Sequence, residues 1–209
     1  MDFTSGMTAL LSALHRERNG AAADAMRFCG RACGLNLGVV IPTIRKIAGE
    51  YPRDKAFSQY LYKQDVRELR IAALWLSEPE KTGPADFDFI AGGIVNSEIA
   101  EQAAMALLSR IDCADALVER WCCADELLCY AAFMAAARND RTTTGVLVPS
   151  LRRALERFPD SRLVAQGAVA AAVAAYVRDP GSVREFAATL DDGSAAMRYV
   201  REELAWQIE

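Results

Sequence analysis

The sequence is poor in the residues from which most reactive centres are built. It holds one histidine, His15, among 209 residues, and neither G-x-S-x-G nor H-E-x-x-H occurs, so a serine-type triad or a zinc-protease helix has nothing to stand on. A glycine-rich phosphate loop is missing as well. The longest apolar runs, GAVAAAVAAYV from Gly167 and LLCYAAFMAAA from Leu127, are about half the length a membrane helix needs, which predicts no membrane association. The amino-terminal MDFTSGMTALLSALHRERNG carries an acid at Asp2 and its basic residues after the apolar stretch. That is the reverse of a secretory signal, and a cytoplasmic protein is expected. Sustained apolar–polar alternation is almost absent, which argues against a sheet.

Six cysteines are present, but Cys29, Cys33, Cys122, Cys123 and Cys129 sit in apolar helical contexts, where a free thiol behaves as a small buried hydrophobe. A C-x3-C, an adjacent pair and one histidine do not give zinc spacing, so no metal is expected. Lysine is scarce too: only Lys46, Lys55, Lys63 and Lys81. The net charge of -4 excludes a generally sticky polyanion binder, yet it is unevenly spread. Residues 1–75 hold 11 Lys and Arg against 7 Asp and Glu, and the remainder 13 against 21. A basic face survives an acidic average, and arginine, with its planar fork, suits phosphates.

What the sequence has in abundance is helical periodicity. Turn chemistry falls at 50–54, 77–86, 138–145, 178–182 and 191–194, with helices of ordinary length between. Five of these align with one another: DVRELRIAALWL from Asp65, SEIAEQAAMALL from Ser97, DELLCYAAFMAA from Asp125, SRLVAQGAVAAAV from Ser161 and SAAMRYVREEL from Ser194. Each opens on a polar, cap-like residue, and Ala72, Ala103, Ala131, Gly167 and Arg198 recur in one slot, mostly small residues that let a neighbouring helix approach. A two-helix unit repeating every 30 to 40 residues or so is the mark of a HEAT-like solenoid. The expectation is all-α: one HEAT-like repeat domain, 1–209, of five or six helix pairs whose inner helices line a concave binding surface.

Two segments carry a more specific likeness. GLNLGVVIPTIRKIAGEYPRD from Gly34 and LYKQDVRELRIAALWLSEPEK from Leu61 resemble the opening repeats of the DNA alkylation repair enzyme family, the HEAT-like-repeat DNA glycosylases. The likeness rests on Gly38, Val39, Pro42, Arg45, Lys46 and Ala48. It continues more weakly through NSEIAEQ and VERWCCADELLCYAAF, over about two thirds of the chain. Active members of that family release N3- or N7-alkylated purines from duplex DNA without metal or cofactor. An aspartate four residues after a tryptophan stabilises the sugar cation, and further tryptophan and arginine side chains cradle the lesion. The resemblance sets Glu101 at that aspartate and Ser97 at its tryptophan. It sets Leu128, Cys129, Tyr130 and Ala131 against a W-x-R-R, and Ala170 or Ala171 at the last groove tryptophan.

Glu101 is thus the candidate catalytic carboxylate. On a helical wheel it shares a wet face with Glu98, Gln102, Met105 and Ser109. Arg45, Lys46, Arg67, Arg70, Arg152 and Arg153 are the candidate contacts to nucleic acid, and Trp75, Trp121 and Trp206 are expected to pack. Three functions follow: DNA binding with weak excision of cationic alkylpurines, an inert relative that binds DNA structure, or a scaffold for a protein partner.

Overall fold

In the computed structural model the described residues, 2–28 and 34–208, form thirteen α-helices and no strand. They are α1 (Phe3–Arg16), α2 (Gly20–Phe28), α3 (Ile41–Ala48), α4 (Lys55–Tyr62), α5 (Arg67–Leu76), α6 (Phe87–Ala91), α7 (Ser97–Ala106), α8 (Ala114–Trp121), α9 (Glu126–Ala136), α10 (Thr144–Arg157), α11 (Arg162–Tyr176), α12 (Pro180–Ala188) and α13 (Ala195–Ile208). The proline-rich stretch 77–86 folds as two short 3-10 turns.

From α4 onward the helices come in five pairs, and the second helix of each pair stacks on the second helix of the next: α5 on α7, α7 on α9, α9 on α11, α11 on α13. The five helices of this inner layer are the five that align in sequence. They pack on one another more extensively than the outer helices do, because Ala72, Ala103 and Ala131 are fully buried small residues at the crossings. At Gly167 a Cβ would meet the Tyr130 ring at 3.1 Å and Phe133 at 3.3 Å. Closer spacing on one side favours curvature toward it, so a concave face is expected on the inner layer.

Helix starts are fixed by side chains. Asp54, Asn96, Asp125, Ser161 and Asp179 each accept from a backbone N–H one turn into α4, α7, α9, α11 and α12, which contributes about 1 kcal/mol apiece. Two of the expected caps shift. Asn96 rather than Ser97 caps α7, and Asp65 turns away from α5 to accept from Gly34 N at 3.1 Å.

The core falls into two apolar clusters that meet at α9, which gives Tyr130 and Ala132 to one and Cys129 and Phe133 to the other. A helix covered on both flanks needs no polar stripe, hence its nearly unbroken apolar sequence. Cys122 and Cys129 are buried and Cys113 and Cys123 half-buried; Cys29 and Cys33 lie outside the described residues. Trp121 is 2% exposed and meets Phe87 edge-on. Trp206 overturns the packing expectation. It is 89% exposed on α13, the last helix among the described residues.

Candidate nucleic-acid interface

The wet face predicted for α7 divides in the structure. Glu101 is exposed on the inner layer, whereas Glu98 is 6% exposed and points at α5. There Arg67 clasps it at two points, Nε to Oε2 at 2.7 Å and Nη2 to Oε1 at 2.6 Å. Arg67 also donates to Glu68 Oε1 at 2.8 Å and to the Val39 carbonyl at 2.9 Å. Glu68 in turn accepts from the N–H groups of Leu37 and Val39. Burial works against the charged guanidinium, but bonding to Glu98 and the charges of both carboxylates outweigh it and raise its pKa. Arg67, 1% exposed, is therefore not a phosphate contact: it locks the segment before α3 to the starts of α5 and α7. Gln102, also assigned to the wet face, is buried as well.

Arg70 is likewise turned inward, close to Asp65 at 3.5 Å, and is not offered to a ligand. Arg45 and Lys46 are exposed in the last turn of α3, and the Arg45 guanidinium lies over the Trp75 ring, 4.4 Å from its centre. Arg152 and Arg153 are exposed on α10, in the outer layer. Arg152 donates to Thr189 Oγ1 and Arg153 to Ser150 Oγ. The structure does not bring them together with Glu101 or Arg45.

On the inner face Tyr130 Oη donates to Glu101 Oε1 at 2.9 Å. Burial, and then the bond to Glu101, push the Tyr130 pKa up to about 12. The tyrosine stays a neutral donor and holds the carboxylate in one place. Ser97 and Ala170 are half-buried at the sites where an aromatic wall would stand, so this carboxylate has a hydroxyl neighbour and no indole.

Arginines that the sequence reading passed over lie in the turn after α3 and in the turns after three of the five inner helices, α7, α9 and α11. Arg53 follows α3, Arg110 follows α7, Arg138 follows α9 and Arg178 follows α11. Each is followed by an aspartate within two residues, in Arg53-Asp54, Arg110-Ile111-Asp112, Arg138-Asn139-Asp140 and Arg178-Asp179. That recurrence, at four of the turns though not at 77–86 after α5, was the available signal. The turns are linked in space: Asn139 donates to the Ile111 carbonyl at 2.9 Å, and Arg178 to the carbonyls of Asn139 and Thr142. Arg138 donates to the Met134 carbonyl, which satisfies a helix end, and remains exposed. The inner helices run the same way, so their starts gather Glu68, Glu98, Glu101 and Glu126 on one rim and their ends gather arginines on the other. Both placements suit the helix dipoles.

Three comparisons bear on this arrangement. A family model described as DNA alkylation repair enzyme matches residues 10–136. A solved structure superposes with a TM-score of 0.71 at 16% identity, covering 99% of this chain and 95% of the other. It is described as representing a new family of proteins related to the HEAT-like repeat DNA glycosylases, with affinity for branched DNA structures. No curated protein matches. Among the described residues, no helix is long and apolar enough to cross a membrane.

Proposed function

The chain belongs to the DNA alkylation repair enzyme family, and from that premise we propose that it binds DNA along the arginine-bearing rim of its concave face, reading the shape of the backbone. The observation that carries this is the recurrence of an arginine at the end of α3, α7, α9 and α11. A row of guanidinium groups in successive turns after α7, α9 and α11, with Arg53 beyond them, suits a polyanion and carries no base code. The exposed Glu101 and Glu126 disfavour phosphates on their side of the layer and leave the arginine side to the strand. The affinity of the structural neighbour's family for branched DNA supports a structure-reading role.

Excision of cationic alkylpurines is the second reading, favoured by the Tyr130–Glu101 bond. A carboxylate fixed on the groove face can stabilise positive charge growing on a deoxyribose as a cationic purine leaves, and it needs no cofactor. Against it stands the lack of an aromatic wall at Ser97 and Ala170.

The test is binding of the purified protein to plain duplex and four-way-junction DNA at low and physiological salt, with base release from N7-methylguanine and N3-methyladenine followed in parallel. Steeply salt-dependent binding without base release is expected. No binding at low salt would sink both readings. Base release lost in Glu101→Gln with binding intact would put excision first.

A further inference from the structure

One place on the arginine rim is built differently from the rest. Arg110, just beyond α7, is half-buried, and its Nε and Nη2 atoms are out of solvent with no hydrogen-bond partner among the described residues. The Trp75 Nε1–H, on the last turn of α5, is in the same condition. Donors buried without acceptors are costly and rare, because each has given up water and received nothing in return. Arg45 covers the Trp75 ring, and the charges of Arg53 and Arg45 both act on Arg110. Burial first, and then those two like charges, lower the Arg110 pKa, while the exposed carboxylate Glu80 pulls the other way. Three arginines, Arg45, Arg53 and Arg110, thus gather near the end of α5, where the Asp54 N–H donates to the Leu76 carbonyl at 3.1 Å; Asp54 and Glu80 are exposed acids nearby, and Asp112 is paired with Arg141. None of the three forms an ion pair among the described residues, whereas Arg120, Arg141 and Arg201 each do.

We propose that Arg45, Arg53, Arg110 and Trp75 form a seat for one phosphodiester group of the bound nucleic acid. Arg45, exposed and stacked on the indole, is the movable cover. When it swings aside, Trp75 Nε1 and the Arg110 fork face an oxyanion that accepts from both, and an anion relieves the mutual repulsion of the three guanidinium groups. An indole N–H donates but cannot accept, and arginine only donates, so the donor set is matched to a fully ionised acceptor group and not to a base edge. The seat deepens the DNA-binding reading and rests on it for the identity of its ligand.

The experiment has two arms. In the first, the DNA-free protein is titrated with inorganic phosphate at constant ionic strength while tryptophan emission is followed. A saturable change is expected, lost in Trp75→Phe and in Arg110→Met and enhanced in affinity by Glu80→Gln. In the second, DNA affinity is measured against salt. Arg45→Ala and Arg110→Met should each lower the log–log slope by about 1, and Arg157→Ala, on the outer layer, should leave it unchanged. Should Arg110→Met fail to fold, Arg45→Ala, with its exposed side chain, carries the test. No phosphate response together with wild-type slopes in both variants overturns the proposal while leaving DNA binding standing. A phosphate response in a protein that binds no DNA upholds the anion seat and removes the DNA reading instead.

Discussion

Arg67 and Glu98 lie 31 residues apart and form a two-point ion pair with almost no exposure to water, Nη2 to Oε1 at 2.6 Å. The spacing is that of the repeat itself, so the pair is a rivet between adjacent inner helices at the point where the chain before α3 also arrives. Buried pairs of this kind are unforgiving when halved, because the survivor is left charged and dry. Glu98→Ala should lower unfolding free energy by about 3–5 kcal/mol. Because Arg67 also neutralises the buried Glu68, only replacement of the whole cluster, Arg67→Met with Glu68→Gln and Glu98→Leu, should recover much of that loss. Urea unfolding of the two variants checks both statements, and equal loss in the single and combined variants would show that the rivet is not the cause.

Tyr130→Phe keeps the ring and deletes one hydrogen bond, so a loss of about 0.5–1.5 kcal/mol is expected. The pH profile gives the sign. The folded pKa, about 12, is above the ordinary value of about 10. The contribution is therefore full below pH 10 or so and is lost as pH rises from there through about 12. Tyrosinate absorbance should show one late-titrating phenol fewer in the variant, and wild-type alkaline stability should fall more steeply than that of Tyr130→Phe.

Two glycines should respond unequally to a methyl group. Gly38 has φ of +72°, and a Cβ there would lie 2.0 Å from the Asn19 carbonyl oxygen, so Gly38→Ala meets both the wrong backbone region and a rigid obstacle. A loss of about 3 kcal/mol or more is expected. At Gly167 the obstacle is the Tyr130 side chain, which can yield, and helix propensity favours alanine by about 1 kcal/mol. The net loss should be about 1 kcal/mol, with the Tyr130 titration moved because its ring has been pushed. A Gly167→Ala protein with wild-type stability and titration would show that α9 and α11 are not held at contact distance.

The two arginine groups should separate cleanly on DNA. Arg138→Ala, on the inner rim, is expected to lower the salt slope of DNA binding by about 1, whereas Arg152→Ala and Arg153→Ala, on α10, should leave it alone. Equal effects from all three would mean that net charge and not position governs binding.

Trp206→Ser should shift stability by no more than about 0.5 kcal/mol, and the emission spectrum should lose its most water-exposed component. A large loss would mean that the last helix is covered by something, a second copy of the chain included.

The architecture was legible because one slot in each inner helix must be small: Ala72, Ala103, Ala131 and Gly167 announce the close crossings before any coordinates are seen. The fate of polar residues was harder to read, and Glu98 shows why. A helical wheel supposes one dry side and one wet side, but a helix inside a stack is covered by its pair-mate and by neighbours on both flanks. A charged residue pointing along the layer is therefore buried, while one residue further round, as at Glu101, is wet. Arg67 was misplaced for the same reason. Trp206 fails in the opposite sense, since the last described helix has the same apolar pattern and no neighbour among the described residues to use it. The rim arginines were visible only as a short Arg–Asp echo at four of the turns, which has meaning once the turns are known to lie on one edge.

The two apolar clusters meet across the α8–α9 pair, which gives Leu117, Trp121 and Tyr130 to one and Val118 and Phe133 to the other, and each pair of helices leans on the pair beside it. Such a chain has no keystone that closes it from end to end. Opening should begin at α13, whose packing among the described residues is chiefly on α11, and travel inward until it reaches the common wall. Amide exchange would then read out as a slope along the sequence, steepest in α13 and slowest in α9, and a melting temperature would be an average over a gradient.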